Sequence, residues 1–249
     1  MNKKLLVSAA LTAAMLAAPA MAQEATGYIG AAYGNTEVDT PFGDADGDSW
    51  GIEGAVAFDA NETIGIQLDG AYVSSDDLDS DAFTGTVHVF TRNDEWALGG
   101  FVGGTELDGD TAWNLGVEGA KYFEQVTIAG SVSYGTVDDV DVDVWGANVE
   151  GRFFATDNLR FDGRLGAFNA ETAGIDIDGM TFGVGAEWQI EQAPVSLYTT
   201  FDSVQFDDAD VDVNTWMVGV RWNFGGSLKD RDRNGASFNG GMGSIFRSF

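Results

Sequence analysis

From residue 26 to residue 224 the chain alternates two textures: short stretches with an apolar residue at every second position, and gaps that are by turns long and acidic or short. A period of two puts one kind of side chain on each face of a strand. Alternating gap lengths make hairpins whose tight turns share one end of a sheet and whose long connections share the other. The pattern predicts an all-β fold, a transmembrane antiparallel up-and-down barrel. Its twelve strands fall near 26–36, 49–59, 63–73, 83–92, 95–105, 111–123, 126–137, 144–154, 159–169, 180–190, 195–206 and 212–224. Their lengths suit the roughly 9–11 residues with which a tilted strand crosses a bilayer. In the second strand Trp50, Ile52, Val56 and Phe58 share a face opposite Gly51, Glu53, Ala55 and Ala57. In the tenth, Phe182, Val184, Trp188 and Ile190 oppose Thr181, Glu187 and Gln189. A face mixing small residues with charges suits a wet lumen, so the apolar face is expected to meet lipid. Trp50, Trp96, Trp113, Trp145 and Trp216 are read beside acidic gaps. Phe58, Phe123, Phe153, Phe161, Trp188, Trp222 and Phe224 are read at the opposite strand ends. Two such levels are what interfacial girdles require. An even strand count puts both chain ends on the short-turn side, and closing the first strand on the last leaves no open edge in lipid.

Residues 1–22 read as a secretory signal: Lys3 and Lys4, an Ala/Leu-rich run from Leu5 to Ala18, then Ala20-Met21-Ala22 before a cleavage site. The mature chain is expected to begin near Gln23. Without a cysteine in the sequence, a lipid anchor on Cys, disulfides and thiolate metal sites are excluded. The net charge is −28, and −30 once Lys3 and Lys4 are removed with the signal. Phosphate would be repelled, so nucleic acid is not an expected partner.

The closing strand ends Met217-Val218-Gly219-Val220-Arg221-Trp222-Asn223-Phe224. With Gly219, Trp222 and Phe224 so spaced, it resembles the assembly signal of bacterial outer-membrane β-barrel proteins, of the small porin-like kind. The resemblance covers residues 26–224 and implies an outer-membrane location. It also implies lipid of that membrane and the barrel-assembly machinery as partners. The chain departs from the pattern by continuing for 25 residues after Phe224. Domain bounds are thus a signal at 1–22, a barrel at 23–224 and a tail at 225–249. The tail is Gly/Ser-rich and carries Lys229, Arg231, Arg233 and Arg247. It is expected to be a flexible periplasmic extension. A plug for the acidic lumen and a contact with periplasmic polymer are the functional alternatives. An assembly signal ending at Phe249 instead would weaken the strand count.

The long gaps hold 23 acids and no Lys or Arg. As a rim they would concentrate cations at the mouth. Asp44, Asp46 and Asp48 resemble part of a calcium loop that lacks its closing Glu, so only weak, loose binding of Ca²⁺ or Mg²⁺ is expected there and no cofactor otherwise. The inferred inward face carries Glu53, Asp69, Glu118, Glu150, Asp162, Glu187 and Asp202 with Arg152, Arg160, Arg164 and Arg221. The arginines of strands eight and nine would face Glu53 and Asp69 across the ring and impose a transverse field, as porin eyelets do; alternatively these charges pair and fill the interior. Like charges directly opposite are unfavourable, so the eighth hairpin is expected to set Arg152 against Asp162 and Glu150 against Arg164, leaving Arg160 the freer cation. Glu53 set against Asp69 would make a small cation site. Phe90, Phe101, Tyr122, Phe168 and Tyr198 are inward and could narrow the bore. His88, the only histidine, lies inward with Thr84 and Thr86, while the inward Ser131 and Ser133 are three strands away, so no enzyme is expected. The expected function is a porin-like channel for passive diffusion of small cationic or neutral hydrophilic solutes. The alternative is a non-conducting structural or surface-interaction barrel with cation-binding acidic loops.

Overall fold

A computed structural model of the chain describes residues 25–75, 80–107, 110–137, 142–172, 174–206 and 211–240. The signal at 1–22 and the tail from 241 onward lie outside them. Twelve strands close into one antiparallel barrel in sequence order, with β1 paired to both β2 and β12. The first six are β1 (Thr26–Thr40), β2 (Gly43–Asp59), β3 (Gly65–Ser75), β4 (Ser80–Arg92), β5 (Trp96–Leu107) and β6 (Asp110–Tyr122). The second six are β7 (Val126–Val137), β8 (Val142–Thr156), β9 (Leu159–Thr172), β10 (Ile175–Gln189), β11 (Val195–Phe206) and β12 (Val211–Phe224). Closure runs from Gly27 opposite Phe224 to Asp39 opposite Asp212, so every strand has two neighbours and no backbone edge faces lipid. Residues Leu228–Asn234 form a short helix, α1.

The tight turns repeat a local device. Asn61 and Asn93 each turn a side-chain carbonyl back onto the backbone N–H groups two and three residues on, at 2.9 and 3.0 Å. Asn favours turns for this reason. In the Asn93 turn the Lys121 ammonium donates to Glu95 at 2.9 Å and holds that carboxyl below its usual range.

The outer surface is apolar where the strands cross. Leu165 is 59% exposed, and Val117, Val132, Val184 and Val218 stand out beside it. Burial of this belt in hydrocarbon is the only environment that avoids the cost of leaving it in water. Trp50, Trp113, Trp145 and Trp216 ring the long-hairpin end of the belt, and Phe123, Phe153, Phe161, Trp188 and Trp222 ring the short-turn end. Trp96 departs from its expected place. It opens β5 directly after the Asn93 turn and so belongs to the short-turn ring.

Several long gaps are also strand. β1 and β2 stay paired up to Thr40 opposite Gly43, and β9 and β10 up to Thr172 opposite Ile175. This places Asp44, Asp46 and Asp48 on an extended strand, about 6.5–7 Å apart at successive same-face positions. They do not wrap as a calcium loop. Asp48 instead accepts from the Asn35 amide at 3.0 Å, which lowers its pKa.

Candidate functional site in the barrel lumen

The strands change polarity along their length. Within the belt their outward positions are apolar and their inward positions polar. Beyond the tryptophan ring the outward positions become acidic: Asp143 follows Trp145 on β8, and Asp178 precedes Met180 on β10. Outward tyrosines confirm the sense, since Tyr134 donates to Asp143 at 2.6 Å and Tyr72 to Asp81 at 2.9 Å. Asp44, Asp46 and Asp48 share the outward face of Trp50 by the same period. The inward positions there are apolar, with Val38, Val213 and Val204 consecutive across three strands. The expected acidic rim is therefore corrected among the described residues: these carboxylates clothe the outside of the projecting strands and do not line the mouth. The reason is environmental, since above the bilayer the outside of the wall meets water.

Below the mouth comes a neutral polar layer. Asn148 donates to Ser131 at 2.7 Å, and Thr36 and Thr215 share a hydrogen bond at 3.0 Å. Below that lie the charges. Glu53, Asp69, Glu118, Glu150, Arg152, Arg160, Asp162, Arg164, Glu187, Asp202 and Arg221 all engage partners inside the barrel. The eighth hairpin has the register that sets Glu150 opposite Arg164 and Arg152 opposite Asp162. The ion pairs nevertheless follow a different course. Arg152 grips Glu150 on its own strand through Nε and Nη2, both at 2.8 Å. Arg164 reaches Asp202 on β11 at 2.9 Å. Arg160 is not the freer cation, for it stands 3.3 Å from both Asp162 and Glu187. Glu53 is opposite Ala71, not Asp69, so no paired-carboxylate cation site forms there. Instead Glu53 accepts from Arg221 and Tyr198, both at 2.8 Å, while Asp69 and Glu118 flank His88 at 2.9 and 2.6 Å.

Of the inward aromatics, Phe90, Phe101, Phe168 and Tyr198 lie over glycines of neighbouring strands. Gly219 matters most, because the Tyr198 ring occupies the space where its Cβ would stand, and the Arg221 guanidinium caps that ring at 3.9 Å. Gly219→Val should displace Tyr198 and cost about 1–3 kcal/mol of stability, read as a lower urea midpoint of unfolding. An unchanged midpoint in a gel-mobility unfolding series would show that the ring has room. Trp222 and Phe224, the other two signal positions, lie on the outward face of β12 in the short-turn ring.

The tail departs from the expected flexible extension and takes the position of the alternative, inside the lumen. Residues 225–240 do not extend from the barrel but fold into its short-turn half. Gly225 and Gly226, at φ +88° and +122°, make the reversal that side chains disfavour. Ser227 then caps α1 reciprocally with Asp230, at 3.1 and 3.0 Å. Arg231 donates to Glu187 at 2.9 Å and to the side-chain amide oxygen of Asn223, with its guanidinium over the Tyr28 ring at 4.8 Å. Asp232 accepts from Arg152 at 2.7 Å and from Thr127. Arg92 donates to the Gly235 carbonyl at 2.9 Å. Gln67 imitates a neighbouring strand, accepting from the Ser237 and Phe238 N–H groups and donating to the Phe238 carbonyl at 2.8 Å. Phe238 stacks on His88, and Asn239 and the Gly240 N–H reach Glu150 and Glu118 at 2.9 and 3.2 Å. Two gaps between this segment and the wall measure about 40 and 50 Å³, room for a few waters.

Asn223, Asp232 and Phe238 are lumen residues that sequence reasoning passed over, whereas Arg231 and Arg233 belong to the tail that it offered as an alternative plug. One signal for them was present: Ser227-x-x-Asp230, a helix-start pattern, sits ahead of three bases in a chain with an acidic interior.

No family model matches the sequence, and no curated protein does. Three of the solved structures that share the fold illustrate the likeness. An outer membrane channel from Pseudomonas putida F1 is 13% identical, with a TM-score of 0.59 over 80% of this chain and 96% of that one. A KdgM porin is 8% identical, with a TM-score of 0.53 over 78% and 99%. The translocator domain of the autotransporter NalP from Neisseria meningitidis is 11% identical, with a TM-score of 0.52 over 89% and 98%. Closed without an edge, belted in apolar and aromatic side chains and charged within, the chain folds as a twelve-stranded antiparallel β-barrel, the fold it shares with these outer-membrane proteins.

Proposed function

We propose that the protein is an outer-membrane channel for passive diffusion of small hydrophilic solutes, preferring cations, and that the C-terminal segment occupies its resting pathway. The interior carries this reading: hydroxyls, amides and ion pairs line the bore within the belt, where a structural core would be apolar. Cation preference rests on the net charge of −28 and the long-range field of the outward carboxylates, since the lumen charges are locally paired. Glu37 opposite Asp46 and Asp39 opposite Asp44 are like-charged neighbours that favour loosely held Ca²⁺ or Mg²⁺. Catalysis fits less well, because both ring nitrogens of His88 are taken by carboxylates and none faces a hydroxyl nucleophile. Gly219, Trp222 and Phe224 remain the proposed signal for the assembly machinery.

A second reading, a non-conducting barrel, is favoured by the seated tail and the small gaps around it. Planar-bilayer recording separates the two. The full chain should open sparsely and Glu187→Gln, which loosens the tail, often. Under a KCl gradient the reversal potential should lie on the cation side. Silence from both proteins, each shown to be folded, would leave only the second reading; an anion-side potential would remove the selectivity.

A further inference from the structure

We propose that the short-turn half of the lumen is a binding site for a guanidinium-bearing peptide segment, and that residues 227–240 are its resident, exchangeable ligand. The wall and the segment complement each other in charge. Around α1 the wall presents Glu53, Asp162 and Glu187 against Arg160 and Arg221, one carboxylate in excess, and Arg231 fills that deficit. The guanidinium receives what such a group needs: a carboxylate, an amide oxygen and an aromatic face, from Glu187, Asn223 and Tyr28. Asp232 answers Arg152 beside it. The contacts are noncovalent, polar around Arg231 and Asp232 and apolar at Leu228, Ala236 and Phe238, and most come from side chains of strands that are already paired on both sides. Sheet closure therefore does not depend on them. The two glycines leading in are exposed, so the segment hangs from the wall by a hinge. A ligand so held can leave and return without breaking a ladder hydrogen bond.

The opening step rests on the channel reading; the binding site does not. A protease site inserted between Gly225 and Gly226 allows the full chain to fold first and be cut afterwards. The nicked barrel should retain its segment and exchange it, saturably, for a fluorescent synthetic peptide of residues 226–240. The same peptide carrying Arg231→Gln and Asp232→Asn should bind roughly tenfold or more weakly. Washing the segment out should produce current, and returning the peptide to the short-turn side should stop it. Exchange without current would keep the site and sink the channel. A segment that leaves only when the barrel unfolds, or a doubly substituted peptide that binds as well as the parent, would overturn the proposal. So would an uncut chain conducting as fully as the emptied barrel. If the insertion prevents folding, Ala236→Cys in the otherwise cysteine-free full chain gives a second readout. A membrane-impermeant maleimide should label it slowly, and faster with excess free peptide; labelling at the rate of an exposed thiol from the outset would equally refute a seated ligand.

Discussion

Glu187→Gln is expected to unseat α1 while leaving the barrel closed. The carboxylate is 1% exposed, and its Oε2 accepts from Arg221 at 2.7 Å and Arg231 at 2.9 Å, with Arg160 at 3.3 Å. The three guanidiniums are not equally dependent on it. Arg221 keeps Glu53, and Arg160 keeps Asp162. Arg231 keeps only a neutral amide oxygen and a ring face. Breaking a buried pair from one side costs about 3–5 kcal/mol, because the other charge stays buried. Here that cost falls on the helix, which can escape it by leaving. Three kcal/mol is more than a hundredfold in the equilibrium between seated and free. Amide hydrogen exchange across residues 228–238 should accelerate by that order, with the strand amides unchanged. Protection of those amides equal to that of the parent protein would show that Glu187 does not hold the segment.

Arg152→Met should instead damage wall and segment together. Arg152 is the single guanidinium that grips both Glu150 and Asp232, at 2.8 and 2.7 Å. Without it Glu150 retains the Asn239 amide, and Asp232 retains Thr127 and Arg233, none of which replaces a bidentate buried pair. A loss of about 3–5 kcal/mol in urea unfolding is expected. Pairing it with Glu150→Leu should restore much of that loss, since an apolar pair of similar volume is tolerated where a lone buried charge is not. A single variant as stable as the parent, or a double variant no better than the single, would contradict the pairing.

The period-two pattern made strand number, order and inward face legible, and the eighth hairpin's register followed from avoiding like charges at Arg152 and Arg160. Which charges then pair was not legible. Arg152 was expected to meet its cross-strand partner Asp162, yet it turns along its own strand to Glu150 because Asp232 of the tail completes its donor set. Trp96 was misassigned because gap length, not gap acidity, marks the end of the barrel, and the Asn93 turn is short despite Asp94 and Glu95. The acids of the long gaps were placed at the mouth because a run of Asp reads as loop. Among the described residues pairing continues through residues 37–48 and 171–178, and the same alternation that faces Trp50 outward carries Asp44, Asp46 and Asp48 outward too.

What the sequence determines by itself is local and periodic: which residues form strands, which face each side chain takes, where turns fall, and that the outer face cannot be left in water. These depend on neighbours two positions apart, which any reader of the chain can see. The seating of the tail and the partners of Glu187, Arg152 and His88 were decided only by tertiary structure. They depend on which side chains closure brings within about 3 Å across the bore, and a tail so rich in Gly and Ser carries no periodicity that announces the wall it will meet.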